Sequence, residues 1–150
     1  MHLSAPAADF LDRVEVRLRE LRPKKRIVFP EGDDPRVLQA AARLAANELL
    51  EPVLITRKNE PPADGLRRHN PETDPATSKY ADYYLKRRGH RGATARDALA
   101  AARRPLDFAA LMVATGDADG FLGGAANSTA VTVRAALHAI GAQKGVKTGS

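Results

Sequence analysis

The stretch FLGGAANSTAVTVR, in the last third of the sequence, combines residue types from which anion-binding sites are built. Gly123 and Gly124 allow a backbone to approach a ligand closely. The polar residues that follow, Asn127, Ser128 and Thr129, can cap a helix or donate hydrogen bonds to a phosphate. The free N–H groups and the dipole of a helix start also favour anions. Two interpretations stay open: a phosphate-binding loop, or an ordinary turn before a capped helix.

Three arginines are further candidates, because a guanidinium matches phosphate oxygens in pairs. Arg134 lies two turns into the helix predicted after the loop, among small apolar residues, so it either reaches solvent or points into a cleft. Arg36 opens an earlier predicted helix, where a structural pair with Asp33 or Asp34 is the simplest expectation. Arg88 belongs to the basic cluster KRRGHRG, which is either an anion-binding elbow or a solvated loop.

The elements that must position these residues alternate between strand and helix. A short β-branched strand at 26–30, a helix at 35–50 and a strand at 52–56 predict a βαβ unit with a parallel sheet. A third strand is predicted at 118–124. The glycine loop therefore follows the carboxyl end of a strand, which is where ligands bind in open α/β sheets. The predicted fold class is α/β with a mainly parallel sheet.

The remaining predicted elements are helices, apart from one long connection. Apolar periodicity and capping signals predict helices at 8–21, 80–88, 94–103, 105–116 and 128–140. The first is amphipathic and is expected to pack on the body of the protein. Thr94 and Asp97 form a potential capping box, and Gly116 a left-handed helix end. The segment 57–79 shows no period and is expected to be a surface connection.

Charge and composition limit which partners and which cellular compartment we expect. The net charge is +6, which favours an anionic partner, but the basic residues are scattered and only 3 Tyr and 4 Phe can stack on bases. Charge alone does not choose between a nucleic acid and a phosphorylated metabolite, and we expect the metabolite as the partner and no nucleic acid. The scattered histidines predict no metal site. The absence of cysteine, of a signal-peptide pattern and of an apolar window approaching about eighteen residues predicts a cytoplasmic protein with no membrane partner.

Several motifs, in order along nearly the whole chain, resemble the N-terminal half of the phosphate acetyltransferase family. The family pattern P-E-x-x-D-x-R matches residues 30–36, and R-x-H-x-G matches residues 88–92. The pattern A-D-G-x-x-x-G-A-x-x-S-T matches residues 118–129, with Arg134 following. Together these motifs are far more specific than any one of them. Phosphate butyryltransferases share the pattern, so the acyl group stays open.

The resemblance implies a fold, an activity and partners. The implied fold is a three-layer α/β/α architecture, similar to that of isocitrate and isopropylmalate dehydrogenases, in a homodimer or larger assembly. Residues 1–150 would form the first of two α/β domains, a truncated chain without the second domain and the C-terminal helices. The implied reaction transfers an acetyl group between acetyl phosphate and coenzyme A. Coenzyme A and an acyl phosphate would be the substrates, and no separate cofactor is expected.

The resemblance also implies roles for the candidate residues. Arg36, Arg88 and Arg134 fall on family positions associated with binding coenzyme A phosphates, and Arg88 and Arg134 also with catalysis. The loop that lines the same cleft contributes Asn127, Ser128 and Thr129 as substrate-binding residues. The family's general base lies in the second half, so we expect the chain alone to be inactive or very weak. The alternative is a non-catalytic module or partner subunit that binds coenzyme A or a nucleotide.

Overall fold

The computed structural model describes residues 3–59 and 65–142. Its helices are α1 (Ala5–Glu20), α2 (Pro35–Ala46), α3 (Ala76–Arg88), α4 (Ala95–Ala102), α5 (Pro105–Ala114) and α6 (Thr129–Ala139). Its strands are β1 (Arg26–Phe29), β2 (Glu51–Ile55), β3 (Arg67–His69) and β4 (Gly120–Phe121). A single 3-10 turn within the described ranges, Gly89–Arg91, follows α3.

The four strands form one parallel sheet in the order β3-β2-β1-β4. β1 lies at the centre, with Val28 opposite Val53 of β2 and Ile27 opposite Gly120 of β4. The predicted parallel βαβ unit is confirmed. The carboxyl ends of β2, β1 and β4 therefore lie side by side, and the loops that follow them meet at one edge.

Alternating side chains bury the two faces of the sheet under different helices. Val28, Val53 and Ile55 point into a large core shared with α3, α4, α5 and α6. Phe29 and Leu54 point the other way, into a smaller core with α2. This alternation follows from the two-residue period of a strand. The result is a three-layer α/β/α arrangement.

The segment predicted as a surface connection contains structure. β3 pairs in parallel with β2, and α3 begins at Ala76, four residues before the predicted Tyr80. β3 is an edge strand with the sequence RRH. It has no alternation of apolar and polar residues from which a strand could be predicted. The predicted end of α2 was also too late, because Asn47 caps the helix and Glu48 adopts a positive φ of 55°. Residues 60–64 of the predicted connection lie outside the described residues.

Local capping predictions are confirmed. Thr94 and Asp97 form a reciprocal capping box at the start of α4. Gly116 lies two residues after the end of α5 and has a φ of 84°, in the left-handed range that favours glycine. Pro105 occupies the first turn of α5, an apolar helix whose residues from Leu106 to Met112 are buried.

The prediction that the first helix packs on the body is wrong. Within the part of the chain that the structure describes, α1 has no buried residue. Phe10 is 58% exposed and Val16 is 50% exposed. A hydrogen bond of 3.3 Å from Arg19 Nε to the Asn47 carbonyl links its end to the body. None of the helices in the described ranges has the length and apolar character needed to cross a bilayer.

Candidate functional site

The turn after β1, residues 30–34, holds the neighbouring strand ends together through three carboxylates. Asp33 accepts hydrogen bonds from the Thr56 hydroxyl and from the Arg57 backbone N–H, directly after β2. Gly32, which lies between Glu31 and Asp33 in the sequence, donates its N–H to the Ile55 carbonyl at 3.0 Å. A Cβ at Gly32 would lie 2.6 Å from that carbonyl oxygen, so the close approach requires glycine.

Asp34 caps α2 and pairs with Arg36, one of the two partners expected from the sequence. Its carboxylate accepts from the Arg36 backbone N–H at 2.9 Å and from Arg36 Nη2 at 2.7 Å. The Arg36 side-chain hydrogen bond, followed by the backbone hydrogen bond, lowers the pKa of Asp34 to about 2. Arg36 Nη2 also donates to the Ala125 carbonyl at 3.2 Å, and so contacts the outside of the glycine loop.

The glycine loop after β4 encloses a carboxylate from the chain itself. The Glu31 carboxylate accepts backbone hydrogen bonds from Gly124, Ala125, Ala126 and Asn127, at 2.9 to 3.2 Å. It also accepts one from Asn127 Nδ2 at 2.8 Å. Burial acts to raise the pKa of Glu31, but the hydrogen bonds from this loop outweigh it and lower the pKa below its ordinary value. A side chain of the chain itself therefore occupies the place where the phosphate-binding interpretation of this loop would put an anion.

A cleft of about 600 Å³ opens beside the loop, at the carboxyl edge of the sheet. The basic residues that line it are Arg57, Arg104, Arg134 and His138, with Asn127 on the loop side. Arg104, the N-cap of α5, donates from its Nε to the buried Asp107. The cleft therefore combines guanidinium groups from three separate elements with carboxylates that already have hydrogen-bond partners.

A basic groove of about 630 Å³ adjoins the cleft between α3 and α6. Its basic lining consists of Arg87, Arg88, His90, Arg91, Arg134 and His138. Arg134 and His138 line both cavities, so the two adjoin each other at α6. Burial lowers the pKa of His138 most and Arg88 lowers it further, against the opposing effect of Asp107. The imidazole is therefore neutral at neutral pH.

The structure brings some of the sequence-predicted site residues together and separates others. Asn127 and Arg134 share the cleft, and Arg88 and Arg134 share the groove. Arg36 contacts the loop at the Ala125 carbonyl and does not line the cleft. Ser128 is the N-cap of α6, where its Oγ accepts from the Val131 N–H at 3.4 Å. Thr129 is the exposed first residue of that helix.

Sequence reasoning missed four residues that matter to this site. Glu31 and Arg57 each lie two residues after the end of a strand, β1 and β2, so the rule that ligands meet at strand ends could have found both. Arg104 precedes a predicted helix, but its orientation depends on Asp107 in the fold. His138 had no signal, because its role depends on the helix that faces it. Among the described residues, no group of three or more His, Cys, Asp or Glu could hold a metal ion.

The arrangement is chemically suited to binding an anion with several phosphates. Guanidinium groups are permanently charged and donate in forks to phosphate oxygens. Arg88 and Arg134 come from different helices that pack on each other, so the spacing of their charges is fixed by the fold. The half-apolar cleft beside them can accept a neutral portion of the same ligand.

Comparisons with known proteins agree with this architecture. The model of the phosphate acetyl/butaryl transferase family matches residues 9–150. A phosphate acetyltransferase of Paracoccus denitrificans is 42% identical over 135 residues, covering 90% of this chain and 41% of the relative. The phosphate acetyltransferase of Bacillus subtilis is 37% identical over 131 residues, covering 81% of this chain and 40% of the relative.

Two solved structures share the fold. The EutD phosphotransacetylase from Staphylococcus aureus superposes with a TM-score of 0.80 at 30% identity, covering 93% of this chain and 44% of that one. A phosphotransacetylase from Streptococcus pyogenes gives a TM-score of 0.79 at 33% identity, with 97% and 45% covered. The chain thus spans less than half the length of these relatives. By the match over most of its length, the chain belongs to the phosphate acetyl/butaryl transferase family.

Proposed function

We propose that this chain acts in the transfer of an acetyl group between acetyl phosphate and coenzyme A, as the arginine-rich half of the cleft. The observation that carries the proposal is the position of Arg134, which lines both the cleft and the basic groove that contains Arg88. Coenzyme A carries several phosphates on one end and a reactive thiol on the other. A basic groove next to a mixed cleft fits such a molecule.

In the proposed reaction, the coenzyme A thiolate attacks the carbonyl carbon of acetyl phosphate, and the bond from that carbon to the phosphate oxygen breaks. Inorganic phosphate leaves with the electron pair. Negative charge develops on the carbonyl oxygen and the leaving phosphate, and fixed guanidinium groups stabilise such charge. We assign this role to Arg88 and Arg134, and substrate binding also to Arg36, Asn127, Ser128 and Thr129.

The proposal extends to the assembly. Residues 1–150 would be the first α/β domain of a two-domain transferase with a fold similar to that of isocitrate and isopropylmalate dehydrogenases. We propose a homodimer or larger assembly in the cytoplasm, with no cofactor beyond coenzyme A as a substrate. A base must remove the thiol proton. Since the family resemblance assigns that base to the second domain, the chain alone should show little or no transfer.

A second candidate is a non-catalytic module that binds coenzyme A or a nucleotide. One observation favours it: the carboxylates of Glu31, Asp33 and Asp34 at the cleft are all engaged in hydrogen bonds that hold the fold. A carboxylate held in this way is a poor general base. Robust acylation of coenzyme A by purified 1–150 would reject this candidate and the expected inactivity together.

The direct test is a calorimetric titration of coenzyme A into wild-type protein and the Arg88→Ala variant. We expect the variant to bind about tenfold or more weakly, because a charged hydrogen bond contributes about 1.5–3 kcal/mol. The matched control is Arg13→Ala, which removes an exposed arginine of α1 paired only locally with Asp9. Equal affinity in all three proteins, or no binding by the wild type, would contradict the proposal.

A further inference from the structure

We propose that Glu31 is a positioning residue: its carboxylate fills the anion-binding nest of residues 124–127 and aims the Asn127 side chain into the cleft. A substrate phosphate then binds the arginines and not the glycine loop. The effect on substrate binding rests on the proposed function, whereas the filling of the nest rests on the hydrogen bonds alone.

The nest is built from consecutive backbone N–H groups that converge on one point. Glu31 Oε2 accepts from Ala125 at 2.9 Å, and Oε1 accepts from Ala126 at 2.9 Å and from Asn127 at 3.0 Å. The Gly124 N–H lies 3.2 Å from both oxygens, with its φ of 114° in the region that favours glycine. Successive N–H groups turned to one side form a concavity that binds anions.

The occupant reaches the nest from a distant part of the sequence. Glu31 follows β1, whereas the nest follows β4, and these strands are paired neighbours in the sheet. The carboxylate therefore ties two adjacent strand ends together. This contact differs from helix capping, because Ser128 caps α6 with its own hydroxyl. Glu31 acts on the loop that precedes the cap.

The fifth hydrogen bond connects the nest to the cleft. Asn127 Nδ2 donates to Glu31 Oε1 at 2.8 Å, and Asn127 lines the cleft together with Arg134. Glu31 accepts from one of the two N–H donors of the Asn127 amide, which fixes the orientation of the side chain. Asn127 can then offer a ligand in the cleft its Oδ1 as an acceptor and its second N–H as a donor.

The charge of Glu31 has a second effect on ligand placement. A phosphate at the nest would have to displace a carboxylate that is held by five donor groups and bears the same sign. Arg57, Arg104 and Arg134 line the same cleft. The charges at the cleft therefore favour placing an anion near the arginines and not at the loop.

The test of the nest uses backbone amide NMR of the whole chain, with formate and inorganic phosphate as probes. In the wild type, neither probe should shift the amides of residues 124–127, because Glu31 holds them. In Glu31→Ala the same amides should move, and formate should shift them saturably by refilling the nest. Glu72→Gln, which changes an exposed glutamate paired with Arg103, should behave as the wild type.

If Glu31→Ala does not fold, a pH titration of the wild type tests whether Glu31 fills the nest. The amides of residues 124–127 should titrate together, with a midpoint below the ordinary glutamate value of 4.5. Amides that do not respond to this titration would overturn the proposal. Phosphate that shifts the same amides saturably in the wild type would overturn it as well.

Coenzyme A calorimetry on the wild type and on three variants of Glu31 tests the effect on substrate binding. Glu31→Gln should weaken binding about tenfold and Glu31→Asp less, while formate should restore part of the affinity of Glu31→Ala. A rescue by formate is the result that a merely structural role would not give. Coenzyme A affinity equal to wild type in all three variants would overturn the positioning role. If the wild type itself does not bind coenzyme A, the proposed function fails while the NMR result on the nest stands.

Discussion

The Asp33 carboxylate accepts a hydrogen bond from the buried Thr56 hydroxyl and another, of 2.9 Å, from the Arg57 backbone N–H. This pair of contacts fixes the turn after β1 to the end of β2. Glu31, two residues earlier, fixes the same turn to the loop after β4. A single turn therefore sets the relative positions of three strand ends, and with them the walls of the cleft.

Removing the hydrogen bond between Asp33 and Thr56 should lower the free energy of unfolding, and the losses from the two single variants should not add. Asp33→Ala leaves the buried Thr56 hydroxyl without its acceptor, which costs about 1–3 kcal/mol of unfolding free energy. Thr56→Val removes the hydroxyl, so the loss in Asp33→Ala/Thr56→Val should be smaller than the sum of the single losses. Urea unfolding of the four proteins measures the coupling. Strictly additive losses would show that the two side chains do not interact.

The turn should tolerate no side chain at Gly32. A Cβ there would lie 2.6 Å from the Ile55 carbonyl oxygen and 2.9 Å from Leu54 Cβ, both in the sheet. Gly32→Ala should therefore destabilise the protein by about 1–3 kcal/mol through overpacking. Gly89→Ala is the control, because its Cβ would meet only Leu85 Cδ1, at 3.9 Å, and its φ is −57°. Thermal unfolding that ranks the two variants equally would refute the close approach.

Asp34 should make part of the stability dependent on pH. Its pKa falls from 3.8 to about 2 in the folded protein, chiefly through the Arg36 side chain. A depressed carboxyl pKa contributes stability that is fully present above 3.8 and is lost as the pH falls towards about 2. Asp34→Asn keeps a capping side chain but lacks this titration, so its stability should fall less steeply over that interval. Identical acid-unfolding slopes for the two proteins would speak against the pair.

The apolar side chains of α1 should drive association and contribute little to folding. Phe10 is 58% exposed and Val16 is 50% exposed. The Phe10→Ser/Val16→Ser variant should unfold within about 0.5 kcal/mol of the wild type, yet sediment as a smaller species at high concentration. In contrast, Phe108→Ala, at a fully buried position, should cost about 3–5 kcal/mol. A large loss of stability from the α1 variant would show that the helix packs on the body in solution.

Much of the fold could be predicted from the sequence because its signals are local. The β-branched run of β1, the proline and aspartate that open α2, and the Thr94 capping box each identify an element without tertiary information. β3 and the exposure of α1 could not be predicted, because pairing at a sheet edge and docking of a helix face depend on distant residues. Amphipathicity shows that a helix has an apolar face, but not what covers it.

Part of the candidate site could also be predicted from the sequence, and part of it could not. The glycine loop and the arginines were recognisable from residue type and order, and the expected pair of Arg36 with Asp34 is present. The occupant of the loop was not foreseen, because Glu31 lies more than ninety residues earlier in the sequence. Only the pairing of β1 with β4 brings the two together. The roles assigned to Arg36, Arg88 and Arg134 in binding substrate stay predictions.

The most direct measurement of the central claim is the coenzyme A affinity of Arg134→Ala against the wild type. Arg134 lines both cavities, so its removal should weaken binding more than the Arg36→Ala variant, whose guanidinium is engaged with Asp34 and the loop. We predict a loss of about tenfold or more for Arg134→Ala. Binding unchanged in Arg134→Ala would contradict the assignment of this cleft and groove as the substrate site.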